Sequence, residues 1–354
     1  MTSAPTVPPV TDPALPLLAR LADAEAVDAL LARLPWLDAP RATGAQLRLR
    51  WKPGTNVRAG LLVPTAAGPA ALLVAQFADR EKAGALAAGI RRRGAPAWHD
   101  DRLVIAPAEA DPAVSPWIPP GLVPLAYNPG RRLVGRIGET VVKVHAKPVP
   151  RAVRELSRRA AGVAWPDRRV GVSSWVSGRP PRSSDLPSVA DAVRALHAGP
   201  PPGGLVTLDA GAVLAAVRRA ADGAAAAAPH LAGSLHAITD RLGALLPGWW
   251  PAPDAVVHGD LSADQVLLRA DGTVALLDLD RAARGPAAWD GATWEAAELA
   301  AGTALPAPVR APALLRAAAL VQRAPEPFRR MRPGWPALTA ALVTGAERAL
   351  EEVR

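Results

Sequence analysis

Three side chains late in the sequence have the types and spacing for chemistry: Asp260, Gln265 and Asp278. The first two stand in VVHGDLSADQVLL (256–268) and the third in LLDLD (276–280). Between them, 266–268 and 273–277 read as short strands joined at Asp271-Gly272, a strong two-residue turn signal. A tight hairpin folds back on itself, so residues at its open end become neighbours. Two carboxylates and one amide then converge at one mouth. Such a set suits phosphoryl transfer from a nucleotide, where catalysis is mostly positioning and neutralisation of charge by Mg²⁺. One carboxylate orients the acceptor hydroxyl and accepts its proton, which fits Asp260. Another holds the metal against the phosphates, which fits Asp278. Gln265 adds a neutral oxygen to a metal that takes hard oxygen ligands.

The rest of the chain supplies the elements that position this hairpin. Apolar residues from Leu15 to Leu34 recur at helical spacing and predict one helix, after a tail (1–12) that reads as disordered. Strand-like runs follow in LRLRW (47–51), VRAGLLV (57–63) and ALLVAQF (71–77), then a helix over 79–93 and a strand in RLVIAP. The same grammar returns in LVPLAY (122–127), RLVGRIG (132–138) and TVVKVH (140–145), then a helix over 149–161 and VGVSSWV. Both halves share a turn, WKPGTNVRAGLLV against YNPGRRLVGRIG; Pro followed by Gly suits a type II turn. The pattern reads either as an internal repeat or as two unrelated hairpins. After Gly178 the chain is mostly helical, and Asp185 or Ser188 is placed to cap the helix through VADAVRALHAG.

HGDLSADQVLL followed by LLDLD resembles the catalytic and metal-binding loops of the aminoglycoside phosphotransferase family. The resemblance implies an α+β, protein kinase-like bilobal fold: a β-rich N-lobe over 119–178 and a helical C-lobe over 179–354 with a catalytic hairpin. An α/β cap over 1–118 precedes them, similar in placement to that of bacterial maltokinases. Carried over by residue, Asp260 matches the catalytic aspartate, and Gln265 and Asp278 match the metal ligands. His258 matches the loop histidine, Asp280 a further polar position beside the metal, and Asp290 a bracing aspartate. Lys143 in TVVKVH matches the lysine that binds α and β phosphates, and Glu155 on the next helix is placed to pair with it. Trp175 and Val176 in SSWVSGRPP occupy the hinge position, where backbone groups bond the purine.

The sequence departs from the family pattern at two points. The turn NPGRR has Gly130 as its one glycine in place of a glycine-rich loop, with Arg131 and Arg132 beside it. Gln265 stands where the family has asparagine; its extra methylene moves the amide oxygen by about 1 to 1.5 Å on a fixed backbone.

Composition narrows the function classes. At 354 residues the chain exceeds one typical domain. The net charge of +9 comes from arginines scattered along the chain, with short clusters such as Arg91–Arg93. That distribution favours attraction for nucleotide phosphates over a nucleic-acid surface. The absence of cysteine excludes disulfides, thiolate zinc sites and cysteine nucleophiles. The first residues lack a basic n-region and no apolar run reaches membrane-spanning length, so a soluble, cytoplasmic protein is expected. The leading reading is a kinase using ATP or GTP with Mg²⁺ on a hydroxyl of a small molecule: an aminoglycoside, a sugar or an amino alcohol. The alternatives are a nucleotide-binding pseudokinase, marked by the glutamine, and a metal-dependent hydrolase built on His258 and Asp260. The six scattered histidines speak against the last.

Overall fold

In the computed structural model, which describes residues 10–353, the alternating apolar segments between 46 and 107 pair as one antiparallel sheet. Two short helices precede it, α1 (Leu17–Arg20) and α2 (Ala24–Leu31). The single helix expected over Leu15–Leu34 is broken at Asp23, whose side chain accepts the Glu25 N–H (3.0 Å) and so starts a new helix. Of the tail expected to be disordered, 1–9 lie outside the described residues. Asp12 is not disordered: it is buried and bonded to Trp51 and Gly54.

The strands are β1 (Gln46–Lys52), β2 (Asn56–Val63) and β3 (Ala70–Phe77), then helix α3 (Arg80–Arg92), then β4 (Trp98–Asp100) and β5 (Leu103–Pro107). Their order is β1-β2-β3-β5-β4. The next stretch gives β6 (Val123–Asn128), β7 (Arg132–Ile137), β8 (Thr140–His145), helix α4 (Arg151–Ala161), β9 (Ala164–Asp167) and β10 (Val170–Ser174). Its order, β6-β7-β8-β10-β9, repeats the first. Both sheets therefore have the same topology, with a helix between the third and fourth strands. The short strands β4 and β9 carry too few residues to show a period in the sequence.

Residues 10–148, with 165–175 and 329–333, form one compact unit. Its two sheets share a core in which Leu73, Phe77, Ile90 and Val104 meet Tyr127, Leu133, Val142 and Val144. They approach so closely that a Cβ on Gly60 would lie 2.7 Å from the Tyr127 carbonyl oxygen. That contact explains a glycine in the middle of β2.

The second unit holds 149–164, 176–328 and the C-terminal residues from 334. Here α4 is followed by α5 (Leu186–Ala198), α6 (Ala210–Ala227) and α7 (Ala232–Trp249). Four short strands come next: β11 (Ala255–Val257), β12 (Val266–Leu268), β13 (Val274–Leu276) and β14 (Ala283–Gly285). Helices α8 (Ala288–Ala301), α9 (Ala313–Arg323), α10 (Glu326–Arg329) and α11 (Trp335–Glu351) complete the chain. A core of Val217, Leu235, Leu242, Leu315 and Leu342 binds α6, α7, α9 and α11. Strand β11 pairs with β14 and β12 with β13, both antiparallel. The fold is α+β.

Candidate active site

The loop between β11 and β12 carries the HGD triplet, and its backbone is held by one buried carboxylate. Asp290, in the first turn of α8, has no exposed surface. Its Oδ2 accepts the His258 N–H (2.8 Å) and the His197 Nε2–H (2.9 Å), and its Oδ1 accepts the Gly259 N–H (2.8 Å). Three donors satisfy a charge that burial would otherwise make costly. His258, also fully buried, donates Nε2–H to the Leu277 carbonyl (2.7 Å). Its ring thus ties the HGD loop to the residue before Asp278. Gly259 is needed as glycine: its φ is +78°, and a Cβ there would lie 2.2 Å from the Arg281 carbonyl oxygen.

The hairpin brings the other two candidates together. Val266 pairs with Leu276, and the Leu277 N–H donates to the Gln265 carbonyl (2.8 Å), so Gln265 is fixed opposite Leu277 and next to Asp278. The turn differs from the two-residue turn expected at Asp271-Gly272. Arg269 and Thr273 close a three-residue loop in which the Gly272 N–H donates to the Arg269 carbonyl and Gly272 has φ +81°. One extra residue lets a type I turn be followed by a left-handed glycine, a common hairpin solution. Asp278 has φ +59° and ψ +53°, a left-handed conformation in a residue other than glycine. Such a backbone costs on the order of 1–3 kcal/mol and persists where the surroundings over-determine it. Asp280 follows in the 3-10 turn Leu279–Arg281, under which α4 packs Leu156 beside Leu279 and Ala282.

Asp260 is partly buried, and two guanidinium groups meet its carboxylate. Arg323, at the end of α9, donates Nη2–H to Oδ1 (2.5 Å), and the Arg281 Nε lies 3.5 Å from Oδ2. Neither arginine, nor His197, stood out in the sequence. Arg323 reaches Asp260 across 63 positions and His197 reaches Asp290 across 93, and no local period reports them.

Of the upstream candidates, Lys143 lies on β8, the middle strand of its sheet, between Val134 of β7 and Gly171 of β10. A lysine on an edge strand is ordinary; on a central strand its charge needs a partner or a task. Glu155 is ion-paired with Arg159 one turn along α4. Trp175 donates its backbone N–H to the Glu139 carbonyl (2.7 Å), and its ring lies under Arg136 at 4.6 Å. Val176 begins the connector, whose Arg179 pairs backbone to backbone with Leu268 of the hairpin. Asp185 does not cap α5: it takes a two-pronged ion pair from Arg179 (2.6 and 2.9 Å).

Among the described residues, no group of three His, Cys, Asp or Glu side chains is arranged to hold a metal by itself. Mg²⁺ in phosphoryl-transfer sites is held by one or two side chains plus phosphate and water. An amide oxygen and a carboxylate at one hairpin mouth are hard oxygen donors and fit that demand.

The model of the phosphotransferase enzyme family matches residues 140–297, from β8 through the hairpin to α8. The chain is a phosphotransferase. No curated protein matches the phosphotransferase chain. Among solved structures it is similar to a choline kinase from Cryptosporidium parvum, with 9% identity, 66% of this chain and 89% of that chain covered, and a TM-score of 0.48. A choline/ethanolamine kinase family protein from Mesorhizobium loti shares 16% identity (69% and 92% covered, TM-score 0.40). An aminoglycoside phosphotransferase from Streptomyces rimosus shares 19% (64% and 92% covered, TM-score 0.39). These likenesses are loose, and the phosphotransferase assignment rests on the family match. Among the described residues, no helix is long and apolar enough to cross a membrane.

Proposed function

We propose that this phosphotransferase moves the γ-phosphoryl group of ATP or GTP to a hydroxyl of a small polyol. Asp260 orients the hydroxyl and accepts its proton as the oxygen attacks the γ-phosphorus. The bond from that phosphorus to the bridging oxygen breaks, and a nucleoside diphosphate leaves. Gln265 and Asp278 would hold Mg²⁺, which supplies neutralisation of the phosphate charge. Lys143 is assigned to the phosphates with Glu155 to pair with it, and Val176 and the Trp175 carbonyl to the base. His258 and Asp290 keep the loop in register, and Asp280 supports Asp278. The observation that carries this reading is the hairpin pairing that sets Gln265 opposite Leu277 and so next to Asp278, with the HGD loop fastened to Leu277 by His258 and to α8 by Asp290.

The charges around Asp260 favour a neutral or anionic acceptor. Arg281 and Arg323 flank the proposed base. Two acids of the C-terminal helices are engaged elsewhere: Glu295 pairs with Arg316 (3.0 Å), and Glu298 accepts the Leu305 N–H (3.2 Å). A polycation such as an aminoglycoside would meet like charge at the reacting carboxylate, whereas a sugar hydroxyl would not. The test is an acceptor panel of sugars, sugar acids, amino alcohols and aminoglycosides, with Mg²⁺ and each nucleotide. Turnover of sugars or sugar acids is expected; turnover restricted to the polycations would contradict the acceptor assignment.

A further inference from the structure

The two sheets share one hydrogen-bond arrangement as well as a strand order. Asp12 and Asp111 each open the tripeptide Asp-Pro-Ala. Each carboxylate accepts, on Oδ1, the N–H two residues ahead: Ala14 at 3.1 Å and Ala113 at 3.0 Å. On Oδ2 each accepts the N–H of the hairpin glycine, Gly54 at 2.8 Å and Gly130 at 2.7 Å. Each Oδ2 also accepts an aromatic donor three positions before that glycine, Trp51 Nε1–H at 2.9 Å and Tyr127 O–H at 2.7 Å. Both glycines have φ +63°, and in both turns the residue after glycine donates its N–H back across the turn at 3.0 Å. A buried aspartate thus locks each turn from inside.

The two copies differ where a nucleotide would notice. Phe77 pairs with Asn56 and His145 with Arg132, so Lys143 in the second copy corresponds to Ala75 in the first. The first turn ends in Thr55 and the second in Arg131, which is exposed. The second turn also carries a tether from the first sheet: Arg50 donates Nη1–H to the Pro129 carbonyl (2.9 Å). A Cβ on Gly130 would lie 3.3 Å from that Nη1 and 3.6 Å from Arg58 Nη1, so arginines of the first sheet crowd the turn of the second.

We infer that Asp111, assisted by Arg50, is a positioning residue for nucleotide binding, resting on the reading that the chain binds ATP or GTP. It holds the Asn128–Arg131 turn in the shape that presents Arg131 and the turn backbone to the phosphates. A glycine-rich loop has to be ordered by its ligand. This turn is ordered beforehand by a charge-assisted hydrogen bond, which lowers the entropic cost of binding. Asp12 performs the same fastening in a copy that lacks the lysine, and it is the internal control.

Asp111→Asn and Asp12→Asn, made separately in the full chain, would be compared for melting temperature and for affinity toward MgATP and MgGTP by calorimetry. Both variants are expected to melt earlier by similar amounts. Only Asp111→Asn is expected to weaken the preferred nucleotide, by about tenfold, the worth of one hydrogen bond to a charged group. If Asp111→Asn does not fold, Arg50→Ala, which removes the Pro129 tether alone, is expected to weaken the nucleotide severalfold. Equal weakening in the Asp12 and Asp111 variants, or unchanged affinity in Asp111→Asn or in a substituting Arg50→Ala, would overturn the positioning role while leaving the nucleotide reading intact. Wild-type protein that binds neither nucleotide would overturn both.

Discussion

At Asp260, two guanidinium groups share the carboxylate assigned to receive a proton. They hold it in place and set a positive field where an acceptor would dock, which is why the acceptor assignment turns on charge. Gln265 poses a narrower question, because its longer side chain would have to serve the proposed metal position from a backbone pinned by Leu277. Gln265→Asn is expected to keep or raise the transfer rate and leave the Mg²⁺ requirement in place. A complete loss, read by steady-state kinetics over a Mg²⁺ series, would show that the loop is built around the longer side chain. Asp290 is a structural counterpart with three donors on it. Asp290→Ala would leave the buried His258 N–H and the partly buried Gly259 N–H unpaired, a cost of about 2–5 kcal/mol in denaturant unfolding. The juxtaposition of the residues proposed for chemistry was legible in sequence because they stand on or next to one hairpin, whose pairing is local. His197, Arg281 and Arg323 were not, because their types are common and their partners come from the tertiary packing.

Among the elements, hairpins carried over from sequence to structure better than helix ends. The Pro-Gly turns fixed both paired strands, while the N-terminal helix divided at a capping aspartate that its apolar period conceals. The connector after Gly178 depends on Asp185, whose carboxyl is drawn down to about 2 by the Arg179 side chain and the Arg182 N–H. A depressed carboxyl contributes stability above its ordinary range near 3.8, and that contribution is lost as pH falls toward about 2. The Arg179–Asp185 clamp is therefore expected to hold throughout the neutral and mildly acidic range. Carbon-detected NMR titration should place its midpoint near 2, and Arg179→Ala should return it to the ordinary range. Gly259→Ala tests the loop that carries Asp260, since a Cβ would collide with the Arg281 carbonyl. A fall of about a hundredfold or more in transfer rate is expected, the size of effect seen when catalytic groups are misplaced by about 1 Å.

At the scale of the whole molecule, the sheet of 46–107 repeats the strand order of the sheet of 123–174 and shares its core. The shared turn suggested a repeat in sequence. The matching aspartates did not, because Asp12 and Asp111 stand at different distances from their glycines and only folding brings each into place. A chain beginning at residue 119 would expose Tyr127, Leu133, Val142 and Val144, which meet the first copy in one core. It is expected to be insoluble or to lose cooperative melting, as scanning calorimetry would show. The most direct measurement is transfer of label from γ-³²P-ATP or γ-³²P-GTP, with Mg²⁺, to the sugar and sugar-acid panel, by wild type and by Asp260→Asn. Labelled product from the wild type, and a rate about 10²–10⁴-fold lower from a variant that still binds nucleotide, is the expected result. Equal rates from the two proteins, or no labelled acceptor from either, would contradict the account.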